Sequence, residues 1–253
     1  MKKITFILLF VMGMLFQIKA ESSISMDRQF RDSIFQTAKS EPNDTLRSKI
    51  LRGAFQQYIG QEVALEFLDS VLVLSKSKGI HEEELYTLFD YCRYYEYRGE
   101  TPEMEQCFLK LKEASYRYKD YSLYYTIWLG ILQIRCAQGD TEYAIMQAKE
   151  MQKEAIRIKY DRGVFVSLIA LAQALDFAEQ YDEAILAYKQ SLEVNPTANN
   201  YSLLLIRGNL AKIYLAQEKY TEALSELEQQ QKVLEKMTKE EPQTINTLKS
   251  AFL

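Results

Sequence analysis

The chain has 253 residues, with 31 Lys and Arg against 35 Asp and Glu, one histidine, three cysteines, four prolines and nine glycines. The acidic balance argues against a nucleic-acid partner, whose phosphates need a basic face, and a single histidine removes most hydrolase and metal arrangements. A composition 47% apolar with so little Gly and Pro suits helices rather than sheets.

At the amino terminus Lys2 and Lys3 precede an apolar run from Ile4 to Phe16, followed by Gln17-Ile18-Lys19-Ala20. This is the pattern of an export signal over 1–20, cut near Ala20. The run is shorter than the roughly 20 residues a spanning helix needs, and an uncleaved membrane anchor is the alternative. Removing Lys2, Lys3 and Lys19 takes 31 basic residues to 28 against 35 acidic ones, about −7 for the mature chain. That chain is expected to be periplasmic or secreted, with no membrane insertion after cleavage. Met26, Phe30, Ile34, Phe35 and Ala38 then mark one face of a helix, expected within 21–44 as an amino-terminal cap on the rest of the fold.

From residue 45 to 238 one pattern recurs. Its best copy pairs Leu168, Leu171, Ala172 and Leu175, which stand 16, 13, 12 and 9 residues before Ala184, with Tyr188 one turn later and a stop at Asn195-Pro196. The equivalents of Ala184 are Ala64, Met104, Ala144 and Ala223, so the anchors are separated by 40, 40, 40 and 39 residues. Each anchor predicts a helical hairpin. The first has Leu51, Phe55 and Leu68, with Arg52 in the place of a small residue. The second has Leu88, Tyr91, Cys92, Tyr95 and Phe108, a Gly99-Glu100 turn, and Thr101 capping its second helix with Pro102 in the first turn. The third has Trp128 and Ile131 and turns at Gly139-Asp140, glycine ending one helix and the acid capping the next. The fifth has Leu210, Ala211, Tyr214 and Leu227 around a Gln217–Tyr220 turn. Residues 239–253 begin another first helix and stop, either a truncated sixth unit or a helix lying on the fifth.

This spacing resembles the tetratricopeptide repeat (TPR), in units longer than the family's usual 34 residues. Longer helices, or linkers around Ser75–Gly79 and Thr197–Asn200, would take up the difference; HEAT and armadillo repeats are the structural rival. The fold expected is all-α, a TPR-like α-solenoid of about five antiparallel helix hairpins with short helices at both ends. The resemblance implies a binding scaffold whose first helices line a groove, with groove places 18, 15, 11, 8 and 7 residues before each anchor.

The place 11 before each anchor reads Gly53, Arg93, Gln133, Gln173 and Lys212, a polar ladder suited to a peptide backbone or a carboxylate. Solvated residues without a role give the same pattern. Tyr86, Phe89, Tyr97 and Asn209 join Arg93, Gln133, Gln173 and Lys212 as groove candidates for a protein or peptide segment. Ten of the eighteen tyrosines fall between Tyr86 and Tyr125; Tyr91 and Tyr95 are expected in the core, and Tyr86, Tyr94 and Tyr97 toward groove or solvent. The dicarboxylate clamp of chaperone-binding TPR proteins is not matched, since Gly53 follows Lys49 where Asn is needed and Thr126 and Val166 replace basic residues.

No enzyme signature, cofactor motif or metal-ligand spacing is found, so neither catalytic residues nor a cofactor is expected. His81 followed by Glu82-Glu83-Glu84 is read as a solvated acidic first turn of a helix. Cys92 and Cys107, seven residues before and eight after Gly99, are read as buried thiols packing like alanine, with a disulfide the alternative. A second functional reading is the extracytoplasmic input region of a sensor of the kind found in Bacteroides-type bacteria, which an export signal followed by long TPR units also resembles.

Overall fold

A computed structural model describes residues 28–195 and 198–240; the export signal, and the expected carboxy-terminal helix from 241 onward, lie outside them. Eleven α-helices and no strand are found among the described residues. They are α1 (Arg28–Ser40), α2 (Asp44–Gln57), α3 (Val63–Lys78), α4 (His81–Arg98), α5 (Thr101–Arg117), α6 (Tyr121–Ala137), α7 (Thr141–Arg157), α8 (Asp161–Phe177), α9 (Tyr181–Val194), α10 (Asn200–Ala216) and α11 (Tyr220–Glu240).

The forty-residue period resolves into two twenty-residue pieces, each a helix and a tight turn. Gly79, Gly99, Lys119, Gly139, Lys159, Glu179 and Glu218 all take left-handed backbone, with φ from 57° to 91°. The next residue in each turn donates its N–H to the carbonyl five residues back: Glu100 to Tyr95 at 2.9 Å, Asp140 to Arg135 at 3.0 Å, Gln180 to Leu175 at 2.9 Å. This is the Schellman ending, which satisfies carbonyls a helix otherwise leaves unpaired. The next helix is locked at once. Gln180 accepts from Ala184 at 3.0 Å, and Lys219 from Ala223 at 3.0 Å, so each anchor sits in the first turn of its helix.

Three sequence expectations change here. Helices of 16 to 18 residues from α3 to α8 absorb the extra length of the units, and Ser75 lies within α3 rather than in a linker. Asp140 stands at the start of α7 but its side chain makes no capping bond; its backbone carbonyl alone holds the start, accepting from Ala144 at 3.2 Å. Thr101 is helical rather than a cap, with Pro102 in the first turn. Side-chain caps occur instead at Asn43, Asp120 and Asn199, which accept from Leu46, Leu123 and Ser202 at 3.0, 3.0 and 2.8 Å.

The chain divides into two compact units within α6, between Ile127 and Trp128. In the amino-terminal unit Ala64, Phe67, Leu68 and Val71 of α3 are fully buried with Leu51, Ala54 and Phe55 of α2. Helix α1 joins this core through Ala38 and through Phe35, whose ring stacks on Phe67 at 5.1 Å. Arg47 ties the α1–α2 link by donating to the carbonyls of Glu41 (2.7 Å) and Ala38 (3.1 Å). In the carboxy-terminal unit Ala184, Ala187 and Tyr188 of α9 are buried with Phe165, Ile169, Ala172 and Leu175 of α8 and Ile206, Leu210 and Ile213 of α10. All five anchors are buried, Met104 included.

Candidate functional site

In the carboxy-terminal unit the polar ladder is stitched from one first helix to the next. Gln133 Nε2 of α6 donates to Gln173 Oε1 of α8 at 2.8 Å. One helix further on, the Lys212 ammonium of α10 pairs with the Asp176 carboxylate of α8. Both glutamines are half-buried, Lys212 is exposed, and Asp176 is largely covered. Asn209 departs from the ladder, because its Nδ2 donates to the buried Tyr188 hydroxyl at 2.9 Å. Burial, above all, holds that phenol well above its ordinary value. Beside the glutamines Ile169 is buried and Phe177 half-buried, and a Cβ added to Gly130, one turn before Gln133, would meet nothing within 4 Å.

The amino-terminal unit carries a denser network. Asp90 of α4, almost fully buried, accepts from Arg52 Nε at 2.7 Å and from Gln56 Nε2 at 3.0 Å. Arg93 Nη1 donates to Gln56 Oε1 at 2.9 Å and lies 3.5 Å from Asp90 Oδ1. Desolvation raises the Asp90 carboxyl above its ordinary value, opposed by its hydrogen bond and charge interaction with Arg52. Glu96 is raised by burial and lowered by Arg93. Glu83 Oε2 and Arg93 Nε are buried without a hydrogen-bond partner, and Arg52 Nη1 lies 3.7 Å from Glu83. Arg52 also covers the ring of Tyr86 at 4.9 Å, a cation–π contact.

The aromatic candidates separate by exposure. Tyr86 and Tyr97 are 46% and 44% exposed, and Phe89 is half-buried. Tyr97 lies over Gly60, where an added Cβ would come within 3.2 Å of its ring. Tyr94 is a correction: it is buried, packed edge-on to Tyr95 at 5.5 Å. A second correction concerns the acidic turn. Glu82 is exposed, but Glu83 and Glu84 are buried. Glu84 accepts from the Tyr118 hydroxyl at 2.7 Å, and His81 stacks on that same ring at 4.0 Å. A hydroxyl donor and a stacked ring therefore replace the expected water around this turn.

Of the eight candidates, Tyr86, Phe89, Arg93 and Tyr97 share α4, while Gln133, Gln173, Asn209 and Lys212 lie on α6, α8 and α10. Arg93 and Lys212, the basic ladder members, have their charges engaged with Asp90 and Asp176. Sequence reasoning singled out none of Arg52, Gln56, Asp90 and Asp176 as site residues. Gln56 and Asp176 occupy the place eight before the anchor and could have been found there; nothing in the local pattern marks Asp90. Among the described residues no group of three or more His, Cys, Asp or Glu could hold a metal ion.

No family model matches the chain, and no curated protein matches it. Solved structures do. The chain is similar to the nearly identical TPR-like repeats of a Podosopora anserina protein classed as a kinesin light chain, with TM-score 0.51 and 18% identity over 78% of this chain and 98% of that one. The Q17M variant of the same protein gives TM-score 0.50 and 17% identity over 85% of this chain and 99% of that one. At such identities the likeness concerns the fold alone: the chain is an all-α, TPR-like repeat solenoid.

Proposed function

We propose that this chain is an exported, non-enzymatic scaffold that binds an extended peptide or protein segment along its first helices. The observation that supports this most is the bond between Gln133 and Gln173. It fixes two amides side by side, yet uses only one donor and one acceptor between them. A primary amide has two donors and two acceptor sites, so the pair retains the groups that a peptide unit pairs with. The neighbouring Phe177, half-buried, offers apolar surface, and the TPR-like fold is consistent with protein binding.

Selection of displayed random dodecapeptides on the mature chain tests the reading. The best selected peptide should lose at least tenfold in affinity for Gln173→Ala and measurably for Lys212→Ala, with circular dichroism unchanged. Equal affinity for both variants would move the site elsewhere. Arg93→Ala is a poor probe, since removing Arg93 leaves buried Asp90 with less compensation. Export is tested separately by fractionating cells that express the full chain and sequencing the amino terminus of the product.

A further inference from the structure

We propose that Cys92 and Cys107 form an oxidisable pair whose disulfide staples α4 to α5. Their sulfurs, free thiols here, lie 2.8 Å apart, inside the roughly 3.5–4.0 Å at which unbonded carbon atoms rest and approaching the about 2.05 Å of a disulfide. Both are buried, and both approach the Leu88 carbonyl at 3.2 Å. Their register explains the meeting: Cys92 stands twelve residues before its anchor Met104 and Cys107 three after it. The same two places in the α8–α9 hairpin hold Ala172 and Ala187, both buried in one cluster. In both of these hairpins the two places are buried and hold small side chains, and with the sulfurs already in contact a bond between them requires little movement.

The chemistry balances with an external disulfide such as oxidised glutathione. One cysteine thiolate attacks it, forming a mixed disulfide and expelling a thiolate. The second cysteine then displaces the other half, and the two released thiolates take up the two cysteine protons. Two thiols are oxidised and one disulfide is reduced. Burial raises the Cys92 thiol above its ordinary value, so exchange proceeds before the hairpin closes or when it opens.

The test uses the full chain, unfolded and refolded in glutathione buffers of graded potential. Free thiols are then alkylated in denaturant, and the digest is read by mass spectrometry. The expected product links the Cys92 and Cys107 peptides and leaves Cys136 alkylated. Cys136→Ala should keep this link and Cys107→Ala should abolish it. The oxidised form should melt about 5 °C or more above the reduced form. Alkylation of both Cys92 and Cys107 under the most oxidising buffer, a bridge that uses Cys136, or an oxidised form melting no higher than the reduced one would each overturn the proposal.

Discussion

Gln133 and Gln173, forty residues apart, occupy the same register place on α6 and α8 and are joined by a 2.8 Å hydrogen bond. The bond turns a sequence period into a physical contact between repeats. It also provides a double-mutant cycle. Replacing either glutamine with leucine should cost about 0.5–1.5 kcal/mol, because the partner amide loses its bond, whereas replacing both should cost less than the sum. Urea denaturation of the four proteins should give a coupling of at least about 0.5 kcal/mol. Strict additivity would mean that the two amides do not meet in solution.

Asp90 gives a pH signature. Burial raises its carboxyl above the ordinary 3.8 despite Arg52, Gln56 and Arg93, so the folded state holds this proton more tightly than the unfolded chain. Its contribution to stability is therefore fully present below about pH 3.8 and declines as pH rises through the raised folded value. Asp90→Asn removes the titration. The stability of the parent relative to this variant should fall across that window and then level off. Urea denaturation of both proteins from about pH 3 to 8 measures it, and a difference that rises with pH would contradict the burial argument.

Left-handed turns give a third expectation. Lys159 and Glu179 adopt the same backbone conformation as Gly99 and Gly139, although a Cβ is strained there. Lys159→Gly and Glu179→Gly should each stabilise the fold by about 0.5–1 kcal/mol, with the strain relieved partly offset by a more flexible unfolded chain. Gly99→Ala should destabilise by about 1 kcal/mol, even though its Cβ would meet nothing within 4 Å. Thermal and denaturant midpoints distinguish the two directions.

These turns also separate what local sequence discloses from what it conceals. The hairpin register was legible because Ala64, Ala144 and Ala184 sit where adjacent helices leave no room for more, and such packing restricts residue type at a fixed spacing. Gly99 and Gly139 were legible as turns because left-handed backbone favours glycine. The equivalent positions Lys159 and Glu179 were not, because the Schellman hydrogen bonds impose the conformation whatever the side chain. The burial of Asp90 was hidden more deeply. An acid among Lys and Arg at helical spacing looks solvated, and its partner Arg52 lies 38 residues away on another helix. Glu84 was concealed likewise by Tyr118, 34 residues away.

Gly130 and Ala184 complete the contrast between open and closed places, one on a first helix and the other on a second. Gly130 lies within α6, where an added Cβ meets nothing and the backbone is not left-handed. Gly130→Ala should therefore stabilise by about 0.5–1 kcal/mol through helix propensity alone. Ala184 is fully buried in the core shared by α8, α9 and α10. Ala184→Leu inserts three carbons there and should destabilise by about 1–3 kcal/mol. Because the two changes have opposite expected signs, global softening or a shift in the unfolded state cannot produce both. Chemical denaturation of the two variants beside the parent decides the matter. An Ala184→Leu protein as stable as the parent would show that this residue is not the close-contact point of its hairpin, and the register assigned to the other four anchors would lose its reference.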